Sequence, residues 1–215
     1  MTTPDDHPAY TPAERRADAA VHWAGLAFAA VAAPLLIVLA AARGDGPTIA
    51  SASVYAATLV AMFAFSAGYH MIDAPRWRDL LRRLDHGAIF LKIAGTYTPF
   101  AAVTLSEGAG ATLLLGVWTV AVIGCAVKLA APRRFEIASI ALYLALGWAV
   151  VFVMDEVVAA MPAGHVALMV AGGALYSVGV VFHLWNALPF QNAIWHLHVF
   201  AATVCFYAAI VLQIA

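Results

Sequence analysis

The sequence predicts an all-α integral membrane protein, a seven transmembrane helix bundle with its N-terminus cytoplasmic and its C-terminus outside. Three observations predict it. First, the 215 residues are 64% hydrophobic and only 11% charged, with a mean hydropathy of +0.88. Soluble domains carry roughly 25% charged residues, and so few charges cannot cover a water-soluble globule of this size. Second, apolar runs recur at the length of about 20 residues that a spanning helix needs. Strands are excluded, because lipid does not tolerate their open edges. Third, the basic residues segregate to one side of the chain.

Each predicted span has a chemical boundary. The first, 20–42, follows a polar stretch with Asp5, Asp6, Glu14 and Asp18 and closes at Arg43-Gly44-Asp45-Gly46-Pro47. That stretch lacks the basic-then-apolar order of a cleaved signal. The chain therefore divides into a polar cytoplasmic tail over 1–19 and a seven-helix transmembrane domain over 20–215. The second span, 48–70, ends at a charged stretch running to Asp85, and the third, 86–105, ends at Ser106-Glu107-Gly108. The fourth, 109–131, stops at Pro132-Arg133-Arg134, and the fifth, 135–154, at Asp155-Glu156. The sixth, 164–183, is closed by the stretch from Asn186 to Pro189, and the seventh covers 191–214. Pro34 and Pro99 predict kinks. Gly172, Gly173, Ala174, Ser177 and Gly179 predict a small-residue face for close helix contact.

Lys and Arg favour cytoplasmic loops. With the N-terminus inside, Arg15, Arg16, Arg76, Arg78, Arg82, Arg83, Lys128, Arg133 and Arg134 lie on the cytoplasmic side, against Arg43 outside and Lys92 within the third span. The expected location is a cell inner membrane, with the lipid bilayer as partner. A net charge of −1 disfavours nucleic acid. Cys125 and Cys205 lie in apolar runs and read as core-filling residues. No internal repeat is evident, which argues against an inverted-repeat transporter.

The polar residues converge on one side. Of the eight histidines, His22, His70, His86, His183, His196 and His198 fall at predicted cytoplasmic ends of spans, level with Asp85. A histidine at an interface can simply cap or hydrogen-bond. Ser66 and His70 are i,i+4 and share a helix face, as do Asn192 and His196. Together with the Asp85 carboxylate, two such faces could hold a divalent metal. Zinc accepts imidazole nitrogen and carboxylate oxygen and keeps one position open when catalytic. His198, two residues from His196, points elsewhere. Lys92, seven residues after Asp85, needs a partner if it stays charged inside the span. That partner is an internal ion pair, a freed carbonyl or an anionic headgroup, and a proton relay is a further role.

At these residues the sequence resembles the hemolysin III family of the progestin and adipoQ receptor superfamily. The resemblance rests on ERRADAAVH from Glu14 to His22, on Ser66-Ala-Gly-Tyr-His70, on LDHGAIFLKIAGTYTPF from Leu84 to Phe100, and on Asn192-Ala-Ile-Trp-His196. It implies a seven-helix fold with a zinc site near the cytoplasmic face. It further implies His70 and His196 as zinc ligands, Asp85 as general base or holder of the reacting water, and Ser66 as support for that water or a developing oxyanion. Such a site suits hydrolysis of lipid amides, the chemistry associated with related receptors and alkaline ceramidases. The family pattern has His-x-x-x-His on the last helix, and here its first position is Asn192, whose neutral amide is a weaker zinc ligand. His183 is a candidate replacement. Three functions follow: a zinc-dependent lipid-amide hydrolase, a non-enzymatic sensor or regulator of membrane or ion balance with a structural metal, and a pore-forming cytolysin. The cytolysin is the least supported, because no segment is suited to switch from soluble to inserted.

Overall fold

The computed structural model describes residues 11–131 and 134–214. The first ten residues of the expected tail, His7 among them, and Arg133 lie outside the described residues. The described residues form helices α1 (Pro12–Arg43), α2 (Gly46–Met71), α3 (Pro75–Thr104), α4 (Glu107–Ala130), α5 (Glu136–Gly147), a 3₁₀ turn (Ala149–Val153), α6 (Met154–Ala160), α7 (Ala163–Leu184) and α8 (Gln191–Ile214), with no strand among them. Neighbours in sequence pack together from α1 to α4. The last helix α8 returns to lie between α1 and α7.

Six of these segments are long and apolar enough to cross a membrane: α1, α2, α4, the segment Glu136–Ala160, α7 and α8. The expected third span, within α3, is not among them. Its apolar residues are diluted by Lys92, Gly95, Thr96, Tyr97, Thr98 and Pro99. The reason is position. Asp85, Gly87, Ala88, Phe90, Lys92, Ala94, Gly95, Tyr97, Pro99, Phe100 and Ala101 are all buried, so much of α3 faces other helices rather than lipid. The outer helices show the opposite pattern. Val31, Leu35 and Val38, at i, i+4 and i+7 on α1, are exposed apolar residues, as lipid contact demands.

Helix α1 begins at Pro12, well before the expected apolar start at residue 20. Thr11 caps it: its hydroxyl accepts from the Glu14 backbone N–H at 3.2 Å, while the Glu14 carboxylate accepts from the Thr11 N–H at 2.8 Å. This reciprocal box satisfies donors that a bare helix start leaves open. The other Glu14 oxygen accepts from the Phe190 N–H at 2.9 Å and pins the α7–α8 connection to α1. At the far end, Arg43 donates to the carbonyls of Gln213 and Ile214 at 3.2 and 3.0 Å, placing a cation at the negative end of α8. Between α1 and α2, Asp45 caps α2 through the Thr48 N–H at 2.8 Å. Hydrogen bonds from the Thr48 side chain and backbone hold its carboxyl below the usual carboxylate range.

The fifth expected span is broken rather than continuous. Helix α5 stops at Gly147 and the 3₁₀ turn begins at Ala149. Backbone groups freed at membrane depth must find partners, and Tyr97 of α3 supplies them. Its hydroxyl donates toward the carbonyls of Leu146 and Gly147 at 3.1 and 2.7 Å and accepts from the Val150 N–H at 3.0 Å.

The α2–α3 contact is set by Gly95. A Cβ there would lie 2.2 Å from Thr58 Oγ1, 2.9 Å from its Cγ2 and 3.0 Å from its Cβ, so rotating Thr58 cannot relieve the clash. We predict that Gly95→Ala destabilises the protein by about 1–3 kcal/mol, read as a lower thermal midpoint in detergent. Adding Thr58→Ala should recover most of the loss, because the two sites share one contact. Additive losses would refute the packing account.

Candidate metal centre

Four side chains from three helices meet at one end of the bundle. Asp18 and His22 come from α1, His70 from the last turn of α2 and His196 from the second turn of α8. Each offers one ligand-type atom, and all four atoms lie within 4.8 Å of one another. The ring centroids of His22 and His196 are 4.4 Å apart, those of His70 and His196 4.5 Å, and those of His22 and His70 5.1 Å. His22 is buried at 4% exposure.

Asp18 organises the three rings. The His196 Nδ1–H donates to Asp18 Oδ1 at 2.6 Å. His70 Nδ1 lies 3.6 Å from Asp18 Oδ2. The His22 Nδ1–H donates to the Asp18 backbone carbonyl at 2.9 Å, one turn earlier on α1. That bond fixes the His22 tautomer and leaves Nε2 as a lone-pair acceptor. The Ser66 hydroxyl, 3.3 Å away, donates to this lone pair, and a cation bound there would take the place of that proton. Imidazoles that donate one N–H to a carboxylate or backbone carbonyl while keeping the other nitrogen free are oriented as metal ligands usually are. The residues present fit a divalent metal.

The structure brings His70, His196, Ser66 and Asp85 to this one end, where all four line a common cavity of about 820 Å³. Asn192 also lines that cavity, as does His183. His183 packs at a tilt against Trp195 with ring centroids 4.9 Å apart and is outside the group of four. His198 donates its Nδ1–H to the Ile194 carbonyl at 2.8 Å and packs on Phe182, away from the cluster. The Asp85 carboxylate lies 4.0 Å from His86 Nε2. Lys92 has no ion pair among the described residues, and its ammonium donates to Thr96 Oγ1 at 2.8 Å. Sequence reasoning missed Asp18 by assigning it to the tail. The signal was present: Asp18 and His22 are i,i+4 and so share a face, the same spacing that singled out Ser66 with His70.

A lipid-facing helical bundle with a buried His/Asp cluster at one end defines a multi-pass membrane protein with a metal-type centre. The family profile described as Haemolysin-III related matches residues 13–207, and the chain belongs to that family. It is 39% identical over 186 residues to Hemolysin-3 of Bacillus cereus, covering 86% of this chain and 85% of the relative. It is 35% identical over 187 residues to the Hemolysin-3 homolog of Bacillus subtilis (strain 168), covering 87% and 88%. A more distant similarity, 25% over 169 residues, links it to the human Monocyte to macrophage differentiation factor, covering 74% and 68%.

If Asp18 orients the rings, removing its charge should weaken the metal without unfolding the bundle. We predict that Asp18→Asn lowers cobalt(II) or zinc affinity by about 10–100-fold, measured by titrating purified protein. Unchanged affinity would remove Asp18 from the site.

Proposed function

We propose that this protein is a zinc-dependent hydrolase of lipid amides in a cell inner membrane, with seven crossings and the N-terminus cytoplasmic. The observation that carries the reading is the convergence of three imidazoles on one carboxylate, with Ser66 and Asp85 beside them. His22, His70 and His196 would hold the zinc, and Asp18 would orient them. Zinc held by three protein nitrogens keeps a position open, lowers the pKa of water and polarises a carbonyl. Asp85 then acts as general base, since it lines the same cavity as Ser66, His70 and His196. Ser66 steadies the reacting oxygen through its hydroxyl. Asn192 faces the same cavity as a neutral amide, and His22 supplies the nitrogen that Asn192 lacks. Helix α3 completes the seven crossings, its polar residues screened from lipid by its neighbours.

A second reading has its own support. If Asp18 itself joins the ligands, four protein donors close the site, as in structural zinc centres. The protein would then be a non-enzymatic regulator, and Asn192→His would raise zinc affinity without creating turnover.

The test is metal content and turnover together. Protein purified without chelators should contain about one zinc per chain, and His70→Ala or His196→Ala should lose it. Asp85→Asn should retain zinc but lower cleavage of a long-chain N-acyl amide by about 10²–10⁴-fold. Zinc without turnover supports the structural reading. Absence of zinc, unaltered by His70→Ala, overturns both.

Topology is tested separately. In a Cys125→Ser, Cys205→Ser background, Thr11→Cys should react with a membrane-impermeant maleimide only from the cytoplasmic side, and Gly164→Cys only from outside. Labelling of both from one side would overturn the seven-crossing arrangement.

A further inference from the structure

Four cations meet where α3, α4 and α5 join. Arg82 and Arg83 come from α3, Lys128 from the last turn of α4, and Arg134 stands just before α5. Arg82 takes the carboxylate of Glu136. Arg83 donates to the Leu129 carbonyl, one of those that the end of a helix leaves open. Lys128 is buried, and its ammonium donates to the Arg134 carbonyl at 3.3 Å. Carbonyls satisfy donors but do not neutralise charge. Even counting Asp79, one turn before Arg83 on α3, the corner holds four cations against two carboxylates. Membrane topology asks only that Lys and Arg lie on one side. It does not ask that cations from three elements converge, one of them buried, with Glu136 alone paired to them among the described residues.

The same corner carries an apolar outer face. Phe135 is 62% exposed and adopts left-handed backbone, with φ 60° and ψ 38°. A bulky side chain takes that conformation only where its surroundings impose it. The Arg134 guanidinium stands 5.9 Å from the Phe135 ring centroid. Leu129, Val122 and Leu115 are exposed at seven-residue intervals along α4, so one apolar stripe runs about 21 Å from the corner toward the other side of the membrane. Arg83, Arg134 and Phe135 stand outside the internal cavity, and this surface faces the surrounding bilayer. We propose that the corner binds one anionic phospholipid. Its phosphate lies among Arg83, Lys128 and Arg134, its chains follow the α4 stripe, and the Phe135 ring sits at headgroup level. A soluble phosphate offers the charge but nothing that would cover the stripe. The site is separate from the proposed metal centre and goes beyond that reading.

The test uses the full chain in a neutral detergent, titrated with dioleoyl phosphatidylglycerol or dioleoyl phosphatidylcholine and read by native mass spectrometry. Phosphatidylglycerol should bind about tenfold or more tightly, as three cations near a membrane surface imply. Glycerol 3-phosphate, a headgroup without chains, should not compete at the same concentration. Arg83→Gln with Arg134→Gln should bring the two lipids to within about twofold of each other. Arg16→Gln with Arg76→Gln removes equal charge elsewhere on that side and should keep the preference. Arg134→Gln alone alters an exposed side chain, so it serves where the double variant fails to fold, and it should lower the preference about threefold. Equal binding of the two lipids by the native protein overturns the proposal, and that comparison needs no variant. Equal losses in the two double variants make the attraction a property of the whole basic face and overturn the corner site. Competition by glycerol 3-phosphate overturns the phospholipid as ligand. Chelator-treated protein should keep the preference, since none of these residues belongs to the metal centre.

Discussion

The arrangement of this bundle depends on one carboxylate. Asp18 meets imidazoles carried by α2 and α8, through Oδ2 and Oδ1, and its backbone carbonyl holds the imidazole of His22. Three helices far apart in sequence are thereby tied at a common depth. Polar groups buried in such a place must satisfy one another, because neither lipid nor an apolar interior does so. Removing the carboxylate would leave the His196 N–H without its acceptor, a cost of about 1–3 kcal/mol. The capping box at Thr11 and the Glu14 bond to Phe190 serve the same end. They fix the first turns of α1 so that Asp18 and His22 arrive in register.

The rest of the fold follows from solvent inversion. Apolar residues such as Val31, Leu115 and Val181 are exposed, at 67%, 72% and 59%, while Asp85, Lys92, Thr203 and Gln191 are buried. Helix α3 shows the principle in one element. It carries both a buried aspartate and a buried lysine, and it also carries Tyr97, whose hydroxyl satisfies the backbone at the break in the fifth span. A helix that supplies polar groups to its neighbours cannot also be uniformly apolar. Its low hydropathy is the consequence of its central position.

Most of the architecture was legible because lipid imposes a length and a composition that survive without tertiary context. The runs that became α1, α2, α4, α7 and α8 needed only counting. The break at Gly147 was not legible, because nothing within the run from Glu136 to Ala160 demands it; the partner that makes it tolerable, Tyr97, sits in another helix. Asp18 was obscured for a different reason. Surrounded by Glu14, Arg15 and Arg16, it reads as part of a solvated charge run, although its spacing from His22 places both on one face. Ser66, His70, Asp85 and His196 stood out because each is a polar residue at the edge of an apolar run, where its presence needs a cause. The pairing of Lys92 was open in the sequence, and the absence of a carboxylate beside it among the described residues is information that only packing supplies.

Asn192 bears on how the proposed site would work. A His-x-x-x-His pattern draws two nitrogens from a single helix, so metal binding would stiffen α8 but do little to hold α1. With Asn192 in place of the first histidine, the third nitrogen of the proposed site would come from His22 on α1. Each of α1, α2 and α8 then contributes one imidazole, and the free energy of binding is spread over contacts between helices. A metal bound this way acts as a cross-link at the polar end of the bundle, stabilising the folded state by mass action. The same geometry would serve the proposed catalysis, because three nitrogens oriented by one carboxylate leave an approach from the Ser66 and Asp85 side. Asp18 holds His196 through Oδ1 at 2.6 Å, while Oδ2 lies 3.6 Å from His70 Nδ1. Closure of the site by Asp18 would draw on Oδ2 and give up that second contact, which the open, three-nitrogen arrangement keeps.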